Sequence, residues 1–459
     1  MYMTGQNASV MKSQEYNIKK AVPVLLLLFL LCLVIDGSFK IVSVDIAKDF
    51  NISATMVSWQ ATLAGLVFGI GAVVYAALSD TISIRRLISI GIVIICVGSV
   101  MGFVFQHSYI MVVISRVLQT MGLTSAETLY VIFVTKQLPL NEQKKFLGLS
   151  TSSFALSQVI GSLTGGFVST YFHWTTLFLV SLVTLLILPF ILKYLPKEEK
   201  RGLNVDVTGL FLVGATAATL LFYITNFNII YLIAFIVALV LFLTYISKSS
   251  KAFISLSFFK NKQFISLLSI VFVIYSVQLA YIFLFPFLLG NIFNMRLDTI
   301  SLLLIPSFVL AATVGALSGK VAKMLGSKQC IMIAMTGITV SLLVGAFFIE
   351  SSFMLIISMI LFACSYAFMY APLIDSYVGT VGKEKSGTAI GFYNLIMGVG
   401  ASIGIAYTAV MMDKPSLQLL PNINNPVASV YSTILVVLSL VTLFSLFLYW
   451  VLVGRLIKK

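Results

Sequence analysis

Long apolar runs separated by short polar breaks dominate the chain, and they predict helices that cross a membrane. Residues 21–35 read AVPVLLLLFLLCLVI, and 429–454 are almost wholly apolar. About 20 consecutive apolar residues span a bilayer as a helix. Fourteen such spans are predicted, at roughly 21–45, 56–79, 87–105, 109–135, 146–170, 174–195 and 206–226, then 228–247, 264–290, 299–321, 328–349, 352–378, 386–411 and 428–454. Breaks containing Lys, Asn, Gly, Pro or Asp separate them. The alternation expected of a membrane β-barrel is absent. The first run follows a basic segment, as in a signal peptide, but its length and lack of a small-x-small cleavage site predict a retained helix.

Composition supports the same class. Of 459 residues, 60% are hydrophobic and 10% charged. A soluble domain carries about 25% charged residues, so this chain has too little polar surface to cover a globule in water. Cys32, Cys96, Cys330 and Cys364 each sit within apolar segments and read as small core residues. His107 and His173 lie far apart, and no zinc site or Cys/His catalytic pair is formed. A membrane-embedded sensor or enzyme would need an extramembrane domain or a catalytic cluster, and neither is visible.

Charge then sets orientation. With the N-terminus inside, 24 of the 29 lysines and arginines fall on the cytoplasmic side. Only Lys48, Arg296 and Lys414 fall opposite, while Lys40 and Arg116 lie within spans. Cytoplasmic loops carry the basic excess, so both termini are expected in the cytoplasm. The net charge of +14 follows from these topology signals and does not imply nucleic-acid binding.

A weak internal repeat organises the spans. ALSD at Ala77–Asp80 is echoed by ALSG at Ala316–Gly319, 239 positions later. Gly148 and Gly161 are echoed by Gly391 and Gly404, 243 positions later. Both pairs relate span 2 to span 10 and span 5 to span 13. This predicts six-helix halves at 1–200 and 263–459, with two extra spans in 201–262. Parallel six-helix halves with a central midplane site are the plan of the major facilitator fold.

Ionisable residues inside spans are costly and usually functional. Asp36 and Lys40 in span 1 lie one helical turn apart and can pair. Arg116 and Glu127 occupy span 4, and Asp375 occupies span 12. A buried carboxylate disfavoured by desolvation but favoured by a nearby cation is suited to taking and releasing a proton, which makes Asp36, Glu127 and Asp375 candidates for proton coupling. The plainer reading is ion pairs that only fix packing. Gln60, Gln278, Tyr281, Tyr366, Tyr393 and Asn394 are candidate substrate-pocket residues, since aromatic and amide groups suit flat polar ligands. GALSGKV at Gly315–Val321 looks like a phosphate loop, but it is one residue short between glycines and ends in valine. ATP-driven transport is therefore not expected.

Several segments resemble a known family. ALSDTISIRRL, with Asp80, Arg85 and Arg86, resembles the signature loop of the major facilitator superfamily, whose acid and bases latch one state. Ala76 and Ser83 stand where that loop has glycines. Arg116 in SRVLQTMG resembles the arginine of the superfamily's fourth-helix motif. Gln119 also matches, while Thr120 replaces a glycine. SQVIGSLTGG resembles the antiporter motif of drug:proton exporters at Gly161, Gly165 and Gly166, with Ser162 in place of the kinking proline. Asp36, the VDIAKDF run with Asp45, Trp59, the His173–Trp174 pair and SGTAIGFYN with Tyr393 and Asn394 resemble the 14-helix tetracycline exporters of Gram-positive bacteria. Lys40 stands where those exporters have asparagine. The resemblance implies a monomeric antiporter in a bacterial cytoplasmic membrane. It would exchange a small-molecule drug, often a divalent metal–drug chelate, for protons, without a bound cofactor. The alternative is a facilitator for an endogenous small molecule or lipid.

Overall fold

A computed structural model describes residues 5–79, 81–196, 206–249, 260–381, 386–416, 418–419, 423 and 425–453. Among these residues the protein is helical throughout, and 14 helices are long and apolar enough to cross a membrane. The first half contains α1 (Gly5–Ile41), α2 (Ser43–Asp49), α3 (Ala54–Leu78), α4 (Ile84–Val104), α5 (Tyr109–Gln137) and α6 (Leu140–Tyr171), closing with α7 (Thr176–Ser181) and α8 (Leu188–Tyr194). Two further helices follow, α9 (Val207–Asn226) and α10 (Ile229–Lys248). The second half contains α11 (Lys262–Phe293), α12 (Leu297–Leu325), α13 (Ser327–Phe347), α14 (Ser352–Val378), α15 (Ser386–Met412) and α16 (Pro426–Leu448).

The helix starts are written in the sequence. Ser53, Ser83, Asp206, Asn228, Asn261, Ser351 and Asn425 each accept a main-chain N–H from the first turn that follows. Such caps satisfy donors that no carbonyl inside the helix can reach.

Two spans differ from expectation. The first does not run to residue 45 but breaks at Val42 before the short α2. There the Ser43 hydroxyl donates to the carbonyl of Lys40 at 2.9 Å, and the Gln60 amide donates to that of Phe39 at 3.3 Å. Side chains thus compete for carbonyls a continuing helix would use. The sixth span is three pieces, with a 3₁₀ turn at Leu182–Ile187 between α7 and α8. Pro189 lies just beyond it and lacks the N–H that would bond back to Leu185, so the turn tightens.

Glycines set how closely the helices approach. A Cβ at Gly161 would lie 3.0 Å from the Val34 carbonyl, and one at Gly165 would lie 2.7 Å from that of Ser38, so α6 rides directly on α1. In the second half Gly400 meets Phe272 and Gly404 meets Ser276 in the same way, α15 riding on α11. The structural echo of Gly165 is therefore Gly404, and that of Gly161 is Gly400. Both are separated by 239 positions, the same as the ALSD–ALSG echo. Pairing Gly161 with Gly404 is one helical turn out of register, because sequence spacing alone cannot tell which glycine meets the neighbouring backbone. Gly165→Val forces a branched side chain against main chain that cannot move aside. It should cost about 1–3 kcal/mol as overpacking and lower the thermal unfolding temperature in detergent. Gly148→Val enters open space and should leave it unchanged.

The halves meet along two seams, α3 against α15 and α6 against α12. Gly65 and Gly69 face Ser402, Leu395 and Gly398, while Gly166 faces Leu297 and Ser301. The α9–α10 hairpin stands outside this core. Its helices pack mainly on each other, and α9 touches the α3–α15 seam. Its residues are the least buried of the fourteen spans. This is a 6+2+6 arrangement.

Candidate functional site

Between the halves, the fold places charge on one wall and tyrosine on the other. Asp36 on α1 accepts from Lys40 Nζ at 2.5 Å and from Arg116 Nη2 at 3.2 Å. The first contact follows from the i,i+4 spacing. The second requires α5 to lie against α1. Arg116 is 1% exposed. Its guanidinium lies 4.1 Å from the centre of the Phe39 ring and donates from Nη1 to Gln119 Oε1. The Gln119 amide donates in turn to Ser99 at 3.0 Å and Ser181 at 2.8 Å. The arginine is therefore fixed by a chain of bonds reaching α4 and α7, and its fork is aimed at Asp36.

Glu127 lies three helical turns further along α5, within electrostatic reach of Asp36 and Lys40. Two cations face two carboxylates, so the cluster balances. Only Asp36 holds both cations directly. Glu127 Oε2 is buried without a hydrogen-bond partner. A cavity of about 10 Å³ between them is lined by Cys32, Leu33, Asp36, Phe68, Thr120, Leu123 and Glu127.

The facing half contributes a tyrosine cluster from α11, α14 and α15, buried except for Tyr370. The Tyr275 and Tyr393 hydroxyls share a hydrogen bond at 2.8 Å, and Tyr366 donates to the Ile274 carbonyl at 2.6 Å. Tyr377 packs on Tyr393, with ring centres 5.4 Å apart. Tyr370 is 42% exposed and lies within electrostatic reach of Glu127 on the opposite half. Its exposure there marks the space between the walls.

That space closes at one end. Asp413, after α15, accepts from the N–H groups of Ala54 and Thr55 at 3.0 and 2.8 Å. The Asp298 N–H donates to Thr170 Oγ1 at 3.2 Å. These bonds join the two halves at the end that carries Lys48, Arg296 and Lys414. At the other end, a methyl group added at Gly148, Gly319 or Gly391 would meet nothing within 4 Å.

The structure does not gather every residue the sequence singles out. Asp375 is exposed at the basic end of α14 and lies 3.4 Å from the Ser327 hydroxyl, apart from the buried charges. It does not join the cluster of Asp36, Lys40, Arg116 and Glu127. Gln60 is 1% exposed, and its amide donates to Phe39 and Ser43. It ties α3 to α1 instead of lining the cleft. Tyr281 is enclosed in the second half, bonded to Ser358 at 2.9 Å and packed on Phe362. Gln278 and Asn394 are half-buried on α11 and α15. Arg85 is half-buried and Arg86 exposed at the start of α4. Asp80, the carboxylate of the expected latch, lies outside the described residues. Asp45 and the His173–Trp174 pair brace the closed end. Ser169 donates to Asp45 at 2.5 Å, and Trp174 Nε1 donates to Asp49 at 3.0 Å.

Sequence reading missed Tyr370, Tyr275, Thr120 and Phe39. For Tyr370 a signal existed: it lies one turn from Tyr366 and two from Tyr377, a tyrosine stripe along one helix.

Two six-helix membrane halves with buried charges between them fit a membrane transporter. A sequence profile of the Major Facilitator Superfamily matches residues 24–405, and the chain belongs to that superfamily. It is 24% identical over 382 residues to the riboflavin transporter RibZ of Clostridioides difficile (strain 630), covering 81% of this chain and 84% of that protein. It is also 24% identical over 398 residues to the quinolone resistance protein NorB of Staphylococcus aureus (strain JH9), covering 80% and 83%. Among solved structures, the POT family transporter PepTSo superposes with a TM-score of 0.69 at 13% identity, covering 93% of this chain and 97% of that one.

Proposed function

We propose that this protein is a proton-coupled antiporter that exports planar amphipathic drugs, of tetracycline or quinolone type, across a bacterial cytoplasmic membrane. The observation that carries the proposal is Asp36, held by Lys40 and Arg116 inside an apolar membrane domain. Such a carboxylate is costly to retain unless it works. A proton arriving on Asp36 would release both cations, and substrate binding or the opposite opening of the cleft would follow. The excess of basic residues at one end puts that end and both termini in the cytoplasm, so drug would enter the cleft from the cell interior. Tyr370, exposed beside the buried tyrosine cluster, offers a ring face and a hydroxyl to a flat, polar substrate, as a chelate or as the free drug. The protein works as a monomer.

A second reading is a facilitator for an endogenous small molecule. The similarity to a riboflavin transporter favours it. Accumulation of tetracycline, norfloxacin and riboflavin in a hypersensitive bacterium separates the two. An exporter lowers drug accumulation, and an ionophore that collapses the proton gradient reverses this. Equilibration that ignores the ionophore would establish the facilitator and overturn the antiporter.

A further inference from the structure

The stripe of α5 that faces α1 carries Arg116, Thr120, Leu123 and Glu127, at spacings that repeat along one helix face. Three polar atoms on this stripe are buried without hydrogen-bond partners: Arg116 Nε, Thr120 Oγ1 and Glu127 Oε2. Buried polar groups are almost always paired. Two of these three, with Asp36, line the same small cavity. Thr120 is 1% exposed, so bulk water does not satisfy its hydroxyl. The cavity of about 10 Å³ is close to the least that admits one water molecule.

We infer that Thr120 is a proton-relay residue linking Asp36 to Glu127, with Glu127 as the port toward the basic end of the cleft. The inference rests on the reading that Asp36 is the coupling acid. A hydroxyl both donates and accepts. Thr120 Oγ1 bonds neither carboxyl in the arrangement observed, so it takes a proton from the Asp36 side, and passes its own to a Glu127 carboxylate oxygen, through water in the cavity that the three residues line. Asp36 loses one O–H bond, Glu127 gains one, and each oxygen between them gains one and loses another, so one proton moves in total. Asp36 is left as the carboxylate paired with Lys40 and Arg116, the arrangement observed. The other titratable groups within reach are Cys32 on α1 and Tyr370 on α14. Cys32 is a poor acceptor, and Tyr370 lies on the cleft side of Glu127, outside the cavity lining.

The test is a pH jump on the purified full-length protein, followed by time-resolved infrared absorption of the Asp36 carboxyl band. That band is assigned by its absence in Asp36→Asn. Thr120→Val keeps the shape and removes the hydroxyl. It should slow the band about tenfold, the effect of one lost hydrogen bond on a barrier, without changing its final amplitude. Thr120→Ser should restore the rate, which a role in packing alone would not predict. If Thr120→Val does not fold, Glu127→Gln removes the far end of the relay and should slow the same band. Wild-type rates in either variant would overturn the relay, as would an Asp36 band that does not respond to pH. The measurement needs no drug. A normal relay in a protein that exports nothing would sink the proposed function and leave the relay standing.

Discussion

Asp36→Asn is expected to abolish uphill drug export while leaving downhill drug exchange largely intact. The amide preserves the size of the carboxyl group and its one oxygen can still accept from Arg116 or Lys40, so helices α1 and α5 should stay in place. It cannot ionise, and it therefore holds the site in something close to its protonated state. One proton moving down 100 mV supplies about 2.3 kcal/mol, enough to hold a drug gradient of about 50-fold. Without a titrating group that gradient should fall to unity. The amide stands in permanently for the protonated carboxyl from which the cleft can reopen, so exchange between drug on both sides should continue. The readout is flux into and out of proteoliposomes, with and without an imposed pH gradient. Uphill export by Asp36→Asn with normal pH dependence would make Asp36 structural and move the coupling acid to Glu127.

The second large effect is expected at Arg116. It is 1% exposed, and its guanidinium bonds Asp36 and Gln119 while lying over Phe39. Removing one member of a buried pair strands the other and costs about 3–5 kcal/mol. Lys40 still holds Asp36 here, so Arg116→Gln should cost near the lower end and also uncouple transport. Arg116→Lys keeps the charge but loses the planar fork that reaches Asp36 and Gln119 together, and it should recover stability only in part. The double variant Asp36→Asn with Arg116→Gln leaves neither charge unpaired. It should unfold at a higher temperature than Arg116→Gln alone, a coupling that thermal unfolding of the four proteins measures. Additive losses would show that the pair contributes nothing jointly.

The spans were legible because a bilayer demands long apolar helices, and fourteen predicted spans have fourteen counterparts displaced by a few residues at most. Asp36, Lys40, Arg116 and Glu127 were legible for the same reason, as charges inside those spans. What sequence does not carry is which way a side chain turns. Gln60 and Tyr281 look like pocket residues by type, yet one caps carbonyls of α1 and the other fills the second half. Asp375 looks intramembrane by position, yet its helix end reaches the polar edge, where the carboxylate is exposed. The break at Val42 arises partly from Gln60, on the next long helix, a contribution that no local propensity encodes. Thr120 drew notice only as a departure from a glycine, and its meaning depends on a cavity formed with α1.

Drug flux in sealed proteoliposomes containing the purified wild-type protein tests the central claim most directly. With a pH gradient imposed so that protons flow against the direction of export, tetracycline or norfloxacin should move against its own gradient, and protons should move in the opposite direction in step with it. Both fluxes should stop when an ionophore collapses the gradient. Drug movement that only equilibrates, at the same rate with or without the gradient, would contradict proton-coupled antiport and leave a facilitator.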